Sequence, residues 1–498
     1  MFTVSKIFDM VGNSFAMLFD KEKEKERGLN LLSFVFLIGL YFLGIFMWGK
    51  LTSWGSVPLN FHDWADITVP RLQFVRDALR AGVLPLHMLD TLPLHDVTDR
   101  FLSLPDVITT PQMVLFFFID VPQFVLVDIF IHYTLGALTL FFFREKYKLS
   151  LFSFTILFVL FNFNGYILSH YTVGHFTWAS YFLFPAFFVL IFNFLNGEQG
   201  WRWVTKMSLL LFYMILAGGE HHYVWLLIFL GVLMLICWKR AKWIFAAGLF
   251  SGLLSAIRLI PPALVLNVYQ KKQIFNFVLG YPSIGHIISA MGLTRAPMDI
   301  PTIKYFDLDV YQANYWEFNL YIGAIATIFI LWGLFQWLKS QSPINKELVI
   351  PSFVLILLSL NSVYWLPKLS QIPLLGGERV ASRMIGVPLV LFFLIVTLLF
   401  EEQLKKNKLT LLHKAIGISL FAFTFVDIWN NLKTWRMSSM ATFFGTHVMN
   451  LTGPTIANHP DAVYTNTLAV ALLISIVTAI FLFLMSWKEK TALLSKAN

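Results

Sequence analysis

The sequence predicts an all-α polytopic integral membrane protein of about twelve transmembrane helices, and three observations carry that reading. Of 498 residues, 57% are hydrophobic and 13% are charged, against roughly 45–50% apolar and about 25% charged in an average soluble protein. The apolar residues fall into long runs, and twelve spans of roughly 20 residues, each able to cross about 30 Å of hydrocarbon, would occupy about half the chain. Lys and Arg recur in alternate connections between those runs. This composition excludes an ordinary soluble enzyme. The single Cys237 lies in an apolar run, which excludes an internal disulfide and a Cys-based metal cluster.

Taken in order, residues 1–29 form a cytoplasmic amphipathic segment, in which Phe2, Ile7, Phe8, Met10, Val11, Phe15, Met17, Leu18 and Phe19 suit a short helix lying on the inner leaflet. Scattered Ser, Asp, Asn and Lys there interrupt what a cleavable signal peptide would keep apolar. The predicted spans are 30–49, 123–143, 149–168, 177–194, 207–218, 223–238, 243–261, 318–337, 348–364, 385–400, 409–427 and 468–487. They form one membrane domain, 30–487, followed by a cytoplasmic tail, 488–498. Lys21, Lys23, Lys25 and Arg27 precede the first span, and Arg144, Lys146 and Lys148, Lys239, Arg240 and Lys242, and Lys405, Lys406 and Lys408 occupy later short loops. By the positive-inside rule these loops are cytoplasmic, so both termini are cytoplasmic and the protein sits in the cytoplasmic membrane among membrane lipids. The net charge of +9 is then mostly topogenic and implies no nucleic-acid partner.

Three connections on the opposite, extracytoplasmic side are long: 50–122, 262–317 and 428–467. The first is rich in Asp. Within it Thr68 can cap a helix with Pro70 in its first turn and Gly82 past its end. Leu72, Phe74, Val75, Ala78 and Leu79 would share one face, with Arg76, Asp77 and Arg80 on the other, as in a helix lying flat on the outer membrane surface.

The polar residues at the outer ends of spans define the candidate chemistry. Asp63 and Asp66 precede the surface helix, where Asp63 suits a general base or, with Asp66, a ligand to a divalent cation; a capping or solvated Asp pair has the same spacing. Glu220, His221 and His222 follow Gly218 and Gly219 at the end of a short fifth span, across from His170 and His175. Short, Gly-interrupted spans tend to line polar cavities. Glu220 and His221 are metal-ligating candidates, although interfacial histidines bonded to neighbouring helices fit equally well. Asp128 and His132 lie one helical turn apart inside the second span and are expected to pair. Arg258, Arg379 and Arg383 stand at outer span ends against the positive-inside pattern, suited either to phosphate oxygens of a lipid-linked substrate or to snorkelling toward phospholipid. Tyr305, Tyr311, Tyr315 and Trp316 suit an aromatic belt, and Asn450-Leu451-Thr452 is a glycosylation sequon.

The order of these features resembles membrane glycosyltransferases of the GT-C class, and more closely the bacterial YfhO-type membrane proteins. The resemblance rests on Asp63, the helix from Val69 to Arg80, Gly82-Val83-Leu84-Pro85-Leu86, Val173-Gly174-His175 ahead of Pro185, Ala217-Gly218-Gly219-Glu220-His221, Tyr321-Ile322-Gly323 and Arg379-Val380-Ala381-Ser382-Arg383. It spans about residues 30 to 400. It implies transfer of a sugar from a polyprenyl-phosphate-linked donor to an extracytoplasmic acceptor, with Asp63 similar in position to the first-loop acidic residue that such enzymes use for catalysis. Arg258, Arg379 and Arg383 would hold the lipid phosphate, with Glu220, His221 and His175 beside it. His87 stands where that family commonly has Trp, and no soluble C-terminal domain follows the last span. A non-catalytic subunit with protein partners in a larger membrane complex, or a lipid-linked-sugar transporter, is the alternative.

Overall fold

The computed structural model describes residues 18–22, 29–265, 278–293, 315–339, 343–365, 379–407, 410–447 and 453–497. Tyr305, Tyr311, Gly376, Gly377, Glu378, the sequon at 450–452 and most of the N-terminal amphipathic segment lie outside them. Among the described residues the protein is all-α, with isolated bridges and no strand. The helices are α1 (Leu29–Leu51), α2 (Val69–Arg80), α3 (Val121–Tyr147), α4 (Leu151–Phe163), α5 (Gly165–Thr172), α6 (Phe184–Leu195), α7 (Trp201–Leu216), α8 (Glu220–Ile236) and α9 (Ala241–Leu254). There follow α10 (Ala256–Ala263), α11 (Ile284–Gly292), α12 (Ala324–Lys339), α13 (Pro343–Leu358), α14 (Gly386–Lys406), α15 (Leu411–Thr434), α16 (Met437–Phe444) and α17 (Ala462–Ala497).

Among the described residues seven apolar helical segments are at least 18 residues long: Asn30–Leu51, Val121–Tyr147, Leu151–Thr172, Phe176–Leu195, Ala381–Lys406, Leu411–Thr434 and Ala462–Ala492. Helices Glu220–Ile236 and Trp238–Leu254 form a further apolar pair bent by 108°. Only 11% of the apolar window of α15 and 22% of that of α17 are buried. Apolar faces that open would be untenable in water and match a lipid surround. This is a multi-pass membrane protein. Spans predicted at 207–218, 318–337 and 348–364 are helices of 16 residues each, α7, α12 and α13, about 24 Å long at 1.5 Å per residue. Helix α17 continues past residue 487 to Ala497.

The basic loops collect at one end of the bundle. Lys21 pairs with Glu145 at 2.7 Å, Lys405 Nζ donates to the Lys148 carbonyl at 3.1 Å, and Arg240 donates to Glu347 at 2.8 Å. At the other end the first long loop meets described parts of the other two: His447 N donates to Asn60 O at 2.7 Å, and the His62 ring lies 4.6 Å from that of Trp316.

Helix α2 occupies Val69–Arg80 as the sequence predicts, and Gly82, at φ +68°, turns the chain away from it. Its surroundings differ from the prediction. Arg71 and Gln73 are buried as well as Leu72, Phe74, Val75 and Ala78, and buried Met113 and Phe116 of the following loop cover it. The polar face is tied down too: Arg80 donates to the carbonyls of Phe116 and Ile119 at 2.9 and 3.0 Å. The helix therefore packs into the protein instead of lying on lipid.

Candidate functional site

Thr68 does not cap α2. The backbone is already helical upstream, through a wide turn at Trp64–Thr68, and Thr68 Oγ1 donates to the Gly174 carbonyl at 2.7 Å. Trp64 Nε1 donates to the Thr172 carbonyl at 3.0 Å. These bonds press the start of the first loop onto the turn between α5 and the helical stretch beginning at Phe176. Gly174 permits the approach: at φ +111° a Cβ there would stand 2.4 Å from Trp64 N and 2.7 Å from the Asp63 carbonyl carbon.

His175, next in the chain, thereby reaches Asp63, with Nε2 3.0 Å from Oδ2. Asp63 makes no side-chain cap hydrogen bond, so the capping alternative is excluded. Burial pushes the Asp63 carboxyl up, but the His175 hydrogen bond and the neighbouring His175 and His62 outweigh it and hold the group below the usual carboxylate range. Burial pulls His175 down from its ordinary value. The consistent state is an ionised Asp63 accepting from a neutral His175 that carries its proton on Nε2.

That tautomer propagates inward. His175 Nδ1 lies 2.9 Å from His170 Nδ1, so His170 is the donor. Its Nδ1 is also 3.7 Å from Glu317 Oε2. Glu317 in turn accepts bidentately from Arg383, at 2.6 Å from Nε and 2.5 Å from Nη2. Burial raises the Glu317 carboxyl, but Arg383 and His170 dominate and hold it well below the carboxylate range. Trp178 is the platform for this chain: its ring lies 4.6 Å from that of His170, 5.2 Å from that of His175 and 4.9 Å from the Arg383 guanidinium.

A polar pocket of about 120 Å³ opens on Asp63, with Arg71, Asp106, His175, Glu220, His221, Arg379 and Arg383 in its lining. Arg71 donates to Asp106 at 2.8 Å, and this guanidinium overrides burial to hold the Asp106 carboxyl far below its ordinary value. Glu220 and His221 also line a second cavity of about 950 Å³, otherwise mostly apolar, between α8, α9 and α10.

The remaining predicted residues are distributed differently. Asp66 is absent from the pocket lining, 55% exposed and 3.5 Å from His447, so it shares no site with Asp63. Arg258 is buried and donates to the carbonyls of Leu104, Pro105 and Val107 at 3.0, 3.2 and 2.9 Å, with Leu102 at 3.5 Å. It clamps the first loop through these four backbone carbonyls and is absent from the pocket lining. Arg379 is exposed in the pocket lining, whereas Arg383 is committed to Glu317. Glu220 and His221 pair at 3.2 Å. Among the described residues the three-donor groups able to hold a metal lie elsewhere, one of them formed by His170, His175 and Glu317. His222 bonds Ser180 at 2.6 Å and Tyr166 at 3.4 Å, which makes it an interhelical strut.

Asp128 and His132 do pair, with Oδ2 3.2 Å from Nδ1, and Gln112 donates to Asp128 at 2.7 Å. Tyr315 and Trp316 are buried against Trp435 and Phe444, not arrayed as a lipid-facing belt. Sequence reasoning missed Glu317, Trp178 and the Arg71–Asp106 pair. The signal for Glu317 was a lone acid inside the Tyr315-Trp316-Glu317-Phe318 run, where only burial against a cation accommodates it. No protein-family model, curated protein or solved structure matches the chain.

Proposed function

We propose that the protein is a twelve-span, GT-C-like membrane glycosyltransferase related to the YfhO-type proteins, with both termini cytoplasmic. It would transfer a sugar from a polyprenyl-phosphate-linked donor to a hydroxyl acceptor outside the membrane. One observation carries the reading: a partly buried Asp63, oriented by His175, faces a polar pocket whose Glu220–His221 wall also lines a larger, mostly apolar cavity between helices. A polar reaction chamber beside an apolar cavity fits a substrate with a phosphosugar head and a polyprenyl tail.

In this mechanism the His175 hydrogen bond occupies Oδ2 of Asp63, and Oδ1 takes the proton of the acceptor hydroxyl. The hydroxyl oxygen bonds to the anomeric carbon as the bond from that carbon to the phosphate oxygen breaks, and the lipid phosphate leaves with the electron pair. Arg379 is the guanidinium in the pocket lining best suited to that developing charge. Arg383 acts behind it, by fixing Glu317 and through it the two imidazoles. Glu220 and His221, paired at 3.2 Å, form the neighbouring wall of the pocket.

The second reading, a non-catalytic membrane subunit, is favoured by the internal commitment of both Arg258 and Arg383. Purified protein in proteoliposomes, given polyprenyl-phosphate sugars and a mixed acceptor pool, distinguishes the two. Release of polyprenyl phosphate that disappears in Asp63→Asn supports transfer; absence of release across donors of several sugars supports the subunit.

A further inference from the structure

The first outer loop and the segment leading into α17 are joined along one seam. Met88 N donates to Asp99 O and Leu89 N to Thr455 O, at 2.9 and 3.0 Å, while Ala457 N donates to His87 O at 3.0 Å. On this seam a ring nitrogen of His87, one of His459 and a carboxylate oxygen of Asp99 lie within 4.8 Å of one another. The glycosyl-transfer reading uses none of the three.

Their neighbours fix the proton positions. Arg100 holds Asp461 by two hydrogen bonds, from Nε to Oδ2 at 2.7 Å and from Nη2 to Oδ1 at 3.1 Å. Oδ2 of Asp461 also lies 3.5 Å from His87 Nε2. A carboxylate only accepts, so neutral His87 carries its proton on Nε2 and a lone pair on Nδ1. That side chain is fully buried, and Nδ1 has no hydrogen-bond partner among the described residues. His459 Nε2 lies 2.8 Å from Asp99 Oδ2, a hydrogen bond in which the imidazole donates, and its Nδ1 lies 3.4 Å from the Pro460 carbonyl. A cation bound here takes the place of the Nε2 proton while Nδ1–H keeps the carbonyl. The two imidazoles lie side by side, ring centroids 4.0 Å apart and planes tilted by 31°.

We infer that His87, Asp99 and His459 form a zinc site that clasps the first outer loop to the segment entering the last membrane helix. Two imidazoles with a carboxylate suit Zn²⁺, whereas Mg²⁺ and Ca²⁺ favour sets made of oxygen alone. The second ring nitrogen of each imidazole faces a carboxylate or carbonyl, the outer-shell arrangement that orients zinc-bound histidines. His459 and Asp99 are 49% and 36% exposed, which gives the ion a way in. Because the clasp joins residues 360 positions apart, bound metal would stabilise the folded chain.

The test uses the full chain in detergent, stripped with a chelator and titrated with Zn²⁺ against a chromophoric competitor. The expected result is one tightly bound equivalent and a raised thermal midpoint. His459→Gln and Asp99→Asn, both at exposed positions, should each weaken Zn²⁺ binding at least about tenfold and abolish the thermal gain. Co²⁺ in place of Zn²⁺ should give an intense visible band that both variants lose. Absence of Zn²⁺ binding overturns the inference, and so does a single equivalent held equally well by both variants, which would move the ion to His170, His175 and Glu317.

Discussion

Asp63 and His175 meet at 3.0 Å although 112 positions separate them in the chain, and the contact exists because Gly174 leaves no side chain between the two backbones. The pair occupies Oδ2 of Asp63, while Oδ1 faces His62 Nδ1 at 3.5 Å.

Asp63→Asn keeps size but removes proton acceptance. Turnover should fall by roughly 100-fold or more while donor binding persists. Direct measurement of transfer and of lipid-donor affinity on the same preparation checks it; full transfer by the variant would remove Asp63 from the mechanism.

His175→Gln should act differently. The His175 hydrogen bond lowers the Asp63 carboxyl, so its loss lets burial raise that group. A base that must be ionised then becomes active at higher pH, and the acid limb of the rate profile should shift upward. An unmoved limb would reduce His175 to a packing residue.

The two outer arginines should separate cleanly. Arg379→Gln should weaken binding of polyprenyl phosphate by at least tenfold, for a charged contact of about 1.5–3 kcal/mol. Arg258→Met strips four loop carbonyls of their donor and should lower the midpoint and expose residues 102–107 to protease. If Arg258→Met instead spared stability and abolished lipid binding, the loop-clamp assignment would fail.

Acid should loosen the first loop through Asp106. Its folded carboxyl is depressed by Arg71 relative to the ordinary value of 3.8. The sign follows: the stabilisation is complete above that value and is lost as pH falls through the lower folded one. Thermal midpoints in detergent should drop below about pH 4, and Asp106→Asn should lower the neutral midpoint while flattening the acid slope. Equal slopes in both proteins would contradict this.

Cysteine substitutions at Asp90 and Leu92, both exposed, should react with an impermeant reagent from outside intact cells, with buried Cys237 silent. Reaction only after permeabilisation would invert the proposed topology.

The sequence by itself determined the all-α membrane class, the bounds of α2 and the Asp128–His132 pair, because hydropathy runs, turn residues and one-turn spacing act over short stretches of chain. It also placed Asp63, His175, Glu220, His221, Arg379 and Arg383 toward one end of the bundle through the alternation of basic loops. Only the tertiary structure decided how they are used. Arg258 and Arg383 look alike in sequence, each a guanidinium near an outer span end. The fold gives one to loop carbonyls and the other to Glu317, 66 positions away. Asp66 lies three residues from Asp63 yet is absent from the pocket that Asp63 lines. A buried ion must find its counter-charge wherever the chain returns, and that return is set by packing between distant segments, which no local pattern records.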